Sequence, residues 1–145
     1  MAKQTTFSLD SKVLDAIIKN LDGNVSAAVE TVAFAIEAET KVNIDQMDAV
    51  DTGALMNSVG VSMKSGGDAD KAASVAKALN PEAIITDLPK PDNKHSAYVG
   101  PQVEYAYEVH FGNGNMPGRP YLLKAVRGME KKFKDELGKA VRNGR

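Results

Sequence analysis

The sequence predicts an α+β fold: a small, mainly antiparallel sheet packed with a long N-terminal helical region and a C-terminal amphipathic helix. Three observations carry this. Apolar residues recur at three- and four-residue steps between residues 8 and 46, and again between 120 and 141. Residues 58–64, 95–100 and 104–111 instead alternate apolar with small or polar residues, the period of a half-buried strand. Proline and glycine clusters separate these segments.

Taken in order, residues 8–21 form a first helix, capped by Ser8 or Asp10, with Leu14, Ile17, Ile18 and Leu21 as its stripe. Asp22-Gly23-Asn24 is expected to break it, and Asn24 then caps a second helix to about Gln46. Val25, Ala28, Val29, Val32, Ala33 and Ile36 give that helix a core stripe. Ala27, Phe34, Ala35 and Ala38 carry the apolar surface further round, which points to burial in an assembly. Asp51-Thr52-Gly53 caps a single turn through Leu55 and Met56. In the strand at 58–64, Val59, Val61 and Met63 face inward and Gly60 marks a bulge or a close approach.

Residues 65–94 read as a flexible excursion from the sheet, with a short helix at Asp70–Leu79 whose inner side is Ala72, Val75, Ala76 and Leu79. A further strand is expected around Ala83–Thr86. In the strand at 104–111, Tyr105, Tyr107, Val109 and Phe111 are expected inside, with Ala106, Glu108 and His110 outside; His110 is then a surface imidazole. Gly112 to Gly118 is a loop, and Pro120 starts a helix running to about Val141, striped by Leu122, Val126, Met129, Phe133, Leu137 and Ala140.

Composition bounds function. The 145 residues fit one domain, 43% hydrophobic and 26% charged, as in an ordinary globular protein. Nothing is long and apolar enough to span a membrane, and the first residues lack the apolar core of a secretion signal. With no cysteine, disulfides and thiolate chemistry are excluded, and two histidines are too few for a histidine metal cluster. The Asp51-Thr52-Gly53 triplet occurs in aspartic proteases, but here it follows a long helix and precedes about one strand, unlike that all-β chain. Phosphate-loop, dinucleotide and nucleophile-elbow motifs are absent. No catalytic, cofactor-binding or metal-binding residue is expected, so the chain reads as a non-enzyme.

Charge is unevenly placed. Arg119–Arg145 carries a net +6 and the remainder −7, for a chain total of −1. Such an arrangement suits head-to-tail contact between copies. A basic helix can also lie along phosphates, so a DNA-binding protein using the C-terminal helix is the alternative reading.

Two ordered pieces carry a family resemblance. Tyr105-Ala106, Phe111-Gly112, Pro117 and then Arg119-Pro120-Tyr121 with Ala125 resemble the signature of the head–tail joining, neck or tail-completion family of long-tailed phages. Upstream, Asp51-Thr52-Gly53, Leu55 and Ser58 resemble the element that precedes it. His110 stands where many members carry a glutamate before the aromatic–glycine pair, so no role passes to it. The resemblance implies a structural virion protein of the neck or tail, assembled in the host cytoplasm. It would form a ring of identical subunits, a hexamer, that completes or caps the head-proximal end of the tail. Its partners would be the tail tube protein and the head-closure or connector proteins, with DNA passing through rather than being specifically bound. Arg119, Pro120 and Tyr121 are expected to be the structural corner between the last strand and the last helix.

Overall fold

A computed structural model describes residues 11–47 and 53–143. The order is α1 (Ser11–Gln46), α2 (Ala54–Ser58), β1 (Gly60–Met63), β2 (Gly66–Gly67), α3 (Ala69–Leu79), β3 (Ala97–Gly100), α4 (Ala106–Phe111), β4 (Gly112–Asn113), β5 (Met116–Pro117) and α5 (Tyr121–Asn143). The fold is α+β, with long helices at both ends of the described chain and a small antiparallel sheet between them.

The expected pair of N-terminal helices is one helix. α1 continues through Asp22-Gly23-Asn24, so Asn24 lies in its interior rather than at a cap. A glycine inside a helix costs only about 0.5–1 kcal/mol relative to alanine. Local contacts offset this: the Asp22 carboxylate pairs with Lys94 and His95, and Ser26 Oγ donates to the Lys94 carbonyl at 3.0 Å. A methyl group at Gly23 would meet open space. Gly23→Ala is therefore expected to stabilise the protein by about 0.5–1 kcal/mol in chemical denaturation. A left-handed glycine cap would instead make that substitution destabilising.

The sheet has the order β2-β1-β3, both pairings antiparallel, with Val61 opposite Val99 and Ser62 opposite both Tyr98 and Gly67. Its central strand begins at Gly60, not Ser58, which closes α2. All four β1 residues are buried rather than alternating, because both faces are covered. Val61 and Met63 pack with Ala33 of α1, whereas a Cβ at Gly60 would sit 2.8 Å from the Ala69 Cα of α3. The expected close approach at Gly60 is thus a helix lying on the strand.

The segment 65–94 holds β2, α3 and an extended return. α3 buries Ala69, Ala72, Ala73 and Ala76, leaving Val75 and Leu79 exposed, so its inner stripe is rotated from the expected one. Small side chains let this helix approach β1 closely, which decides the rotation over hydrophobicity. The strand expected at 83–86 reduces to a bridge, Ile85 opposite Val103, with hydrogen bonds Thr86 N–H to Gln102 O and Glu104 N–H to Ile84 O.

The largest correction concerns residues 104–111. They form helix α4, not a strand, and the expected faces are exchanged. Ala106 and His110, one helical turn apart, are buried; Tyr107 and Phe111 are 70% and 62% exposed. Alternation over seven residues also contains two i, i+4 pairs, and tertiary contacts select that period. The glycine loop that follows closes as a small hairpin, Gly112 opposite Pro117 and Asn113 opposite Met116.

α5 follows Pro120 as expected and packs along α1. Tyr121, Ala125 and Ala140 are buried, but Val126 and Phe133 of the expected stripe are 45% and 39% exposed. The main core gathers Ile44, Leu55, Val59, Ala83, Val103 and Tyr121.

Candidate functional site

The residues that carry the two sequence pieces converge on the main core. Ser58, at the end of α2, donates from Oγ to the Leu55 carbonyl at 2.8 Å and accepts from Gln102 N–H at 3.1 Å. Gln102 Nε2 donates to the Ser58 and Ala69 carbonyls at 3.1 and 2.8 Å, and its Oε1 accepts from Leu88 N–H at 3.3 Å. One side chain, 1% exposed, thereby joins α2, α3 and the return segment. Gly53, at φ 85°, precedes α2, and its carbonyl accepts from both the backbone and the side-chain amide of Asn57. Asp51 and Thr52 lie outside the described residues, and with them the capping expected of that pair.

Tyr121 is the second centre. Fully buried, it donates from Oη to the Ala106 carbonyl at 2.8 Å, and its own carbonyl accepts from Asn43 Nδ2 at 3.0 Å. Its ring meets the His110 ring edge-on at 4.9 Å. Burial, with Tyr105 nearby, holds its phenol protonated well above the ordinary range. Arg119 N–H donates to the Val109 carbonyl at 2.9 Å, and Gly118 crosses Phe111 so closely that a Cβ would lie 2.8 Å from its carbonyl carbon. Arg119, Pro120 and Tyr121 therefore do form a corner, but between two helices. Ala125 is buried one turn further on, while Pro117, Pro120 and Phe111 stand at the surface.

His110 is not a surface imidazole. It is 8% exposed, and its Nε2 accepts from Leu123 N–H at 3.1 Å, which places the proton of the neutral ring on Nδ1. Nδ1 has no partner among the described residues. Burial lowers its pKa from the ordinary 6.5. Because the folded value lies below the unfolded one, the unfolded chain takes up the proton first. Stability is therefore expected to be full above about pH 6.5 and to decline as pH falls below it. Thermal melts from pH 7.5 to 5 test this, and His110→Gln should flatten that part of the profile.

Further along α1, Glu37 is buried with Oε1 held by Lys41 at 2.9 Å and Oε2 without a partner among the described residues. Burial raises its pKa against the opposing pull of Lys41, and Asp68 adds to the rise. Glu37, Thr40, Asn43 and Gln102 were not singled out from sequence. The first three continue the buried stripe of α1 at helical spacing, a signal present in the sequence; Gln102 has none.

Two grooves open beside this framework. One, of about 430 Å³, is an apolar trough between α1, β3 and α5 that includes Val32, Ile36, Val99, Met129 and Phe133. The other, of about 340 Å³, lies against α4, with Val103, Glu104, Tyr107, His110, Phe111 and Leu122 in its wall. Among the described residues no group of three or more His, Cys, Asp or Glu side chains is placed to hold a metal ion, and no helix is long and apolar enough to cross a membrane. Comparisons with protein-family models, curated proteins and solved structures gave no match.

Proposed function

We propose that this chain is a structural virion protein: it completes or caps the head-proximal end of a phage tail and joins it to the head, acting as a ring of identical subunits. The assignment to a tail rests on the two sequence pieces. Their described residues largely converge on one framework, built around Gln102 and Tyr121, that sets the angles between helices. The single observation that carries assembly is the apolar surface left outside that framework. Ile18, Tyr107, Phe111, Val126 and Val141 are each 45–70% exposed, on α1, α4 and α5. A chain of this size that needed no partner would not expose so many large apolar side chains on three helices. In a ring, the neighbouring subunits cover them.

The test is molar mass by light scattering over a concentration series, with negative-stain images of the large species, and rescue of tails made without the protein. Closed rings that restore head joining are expected. A chain that is monomeric at every concentration and dispensable for joining would overturn the reading. The outer face of α5 supports a second reading, DNA binding: Lys124, Arg127, Lys131 and Arg142 are exposed there with no ion pair among the described residues. A salt-dependent titration with duplex DNA checks it.

A further inference from the structure

We infer that the acidic, aromatic patch on α4 receives the cationic outer face of α5 from a second copy of this chain. The inference rests on the ring reading and names the contact that would build the ring.

The receiving patch is formed by consecutive turns of α4. Tyr107 and Phe111 stack with ring centroids 4.7 Å apart while being mostly exposed. Glu104 and Glu108 are exposed on the same segment, so two carboxylates flank two aromatic faces. No lysine or arginine lines the groove at their feet. An aromatic pair bordered by carboxylates attracts lysine or arginine twice, through ion pairing and through the ring quadrupole. Below it, His110 carries a buried donor at Nδ1 with no acceptor among the described residues. An oxygen of the occupant would satisfy it.

The inserting face belongs to α5. Lys124, Arg127, Lys131, Lys134 and Arg142 recur so that they share one side of the helix, away from the buried Tyr121, Ala125 and Ala140. Only Lys134 of these five has an ion pair among the described residues, with Glu130 at 3.4 Å. Exposed Leu123 and Val141 border the stripe and supply apolar contact.

Within one copy these two surfaces do not meet. α4 packs against the first turn of α5 through the His110–Leu123 hydrogen bond, whereas Lys131 to Arg142 lie about 12–28 Å further along the axis at 1.5 Å per residue. Charge complementarity between separated patches joins copies head to tail, and a head-to-tail contact closes into a ring when its rotation permits. The near balance of +6 against −7 along the chain fits pairing between copies better than binding a polyanion.

Charge reversal tests this. The first variant carries Glu104→Lys with Glu108→Lys; the second carries Lys131→Glu with Lys134→Glu. All four sites are exposed, and circular dichroism verifies that each variant keeps the wild-type helix content. Each variant alone is expected to associate at least about tenfold more weakly than wild type by light scattering. An equimolar mixture is expected to assemble again, because each variant's reversed patch matches the other's surface. Rings that form normally in either variant, or a mixture no better than its components, would overturn the contact while leaving the ring reading intact. A wild-type chain that never associates, alone or on tails, overturns both. If the second variant loses salt-sensitive DNA binding but associates as wild type does, the stripe serves phosphates and the contact is wrong.

Discussion

Replacing Gln102 with leucine is expected to lower the unfolding free energy by about 3 kcal/mol or more. The side chain is 1% exposed and makes three hydrogen bonds, two to carbonyls of α2 and α3 and one from the backbone of the return segment. Leucine fills similar space but leaves all three backbone groups buried without that partner. Each such group costs about 1–3 kcal/mol when stranded. Urea denaturation followed by circular dichroism measures the loss. Gln102→Glu separates polarity from shape. Its carboxylate would place an oxygen against the Ser58 and Ala69 carbonyls, so it is expected to be at least as damaging at neutral pH and partly relieved by acid. If leucine were tolerated within 1 kcal/mol, the link between α2, α3 and the return segment would have to be carried elsewhere.

Truncating Tyr121 is expected to be similarly severe. Its ring is fully buried between α4, α1 and the start of α5. Removing a buried aromatic ring costs about 3–5 kcal/mol, through lost transfer energy and the cavity it leaves. Tyr121→Phe keeps the ring and deletes only the hydrogen bond to the Ala106 carbonyl, which is worth about 1 kcal/mol. The ratio of the two losses reports how far the residue acts by packing and how far by polarity. Since Asn43 holds the backbone carbonyl of Tyr121, neither substitution removes that contact directly. A phenylalanine variant as unstable as alanine would show that the hydroxyl, not the ring, sets the helix–helix corner. Assembly of Tyr121→Phe should match wild type, because the residue lies inside the subunit.

Much of the scaffold was legible because its patterns are long. Over more than twenty residues the three- and four-residue steps of α1 and α5 exclude a strand, and the positions of Val29, Val32 and Ala33 follow from spacing alone. The β1–β3 pairing was legible for a related reason: β-branched residues and glycine breakers bound both segments. Short patterns failed. Seven residues at 105–111 satisfy both a two-residue and a four-residue period, and the burial of Ala106 and His110 under Tyr121 chooses the helix. Residues 22–24 look like a break, yet the ion pairs from Lys94 and His95, some seventy residues away in sequence, hold the helix together.

The candidate site divides in the same way. Tyr121, Ser58 and the Arg119–Pro120 corner came from a motif, and the structure supplies a physical role for each. Gln102, Asn43 and the buried donor on His110 are decided only when distant segments meet.

By itself the sequence determined the α+β class, the two terminal helical regions, the antiparallel partners and the split of charge between body and last helix. These follow from local periodicity and composition, which need no knowledge of what lies opposite. Tertiary structure decided whether Gly23 breaks a helix, which face of α3 is buried, and that Tyr107 and Phe111 point outward. Those outcomes turn on contacts between residues far apart in the chain, whose energies exceed the small local preferences that spacing reveals.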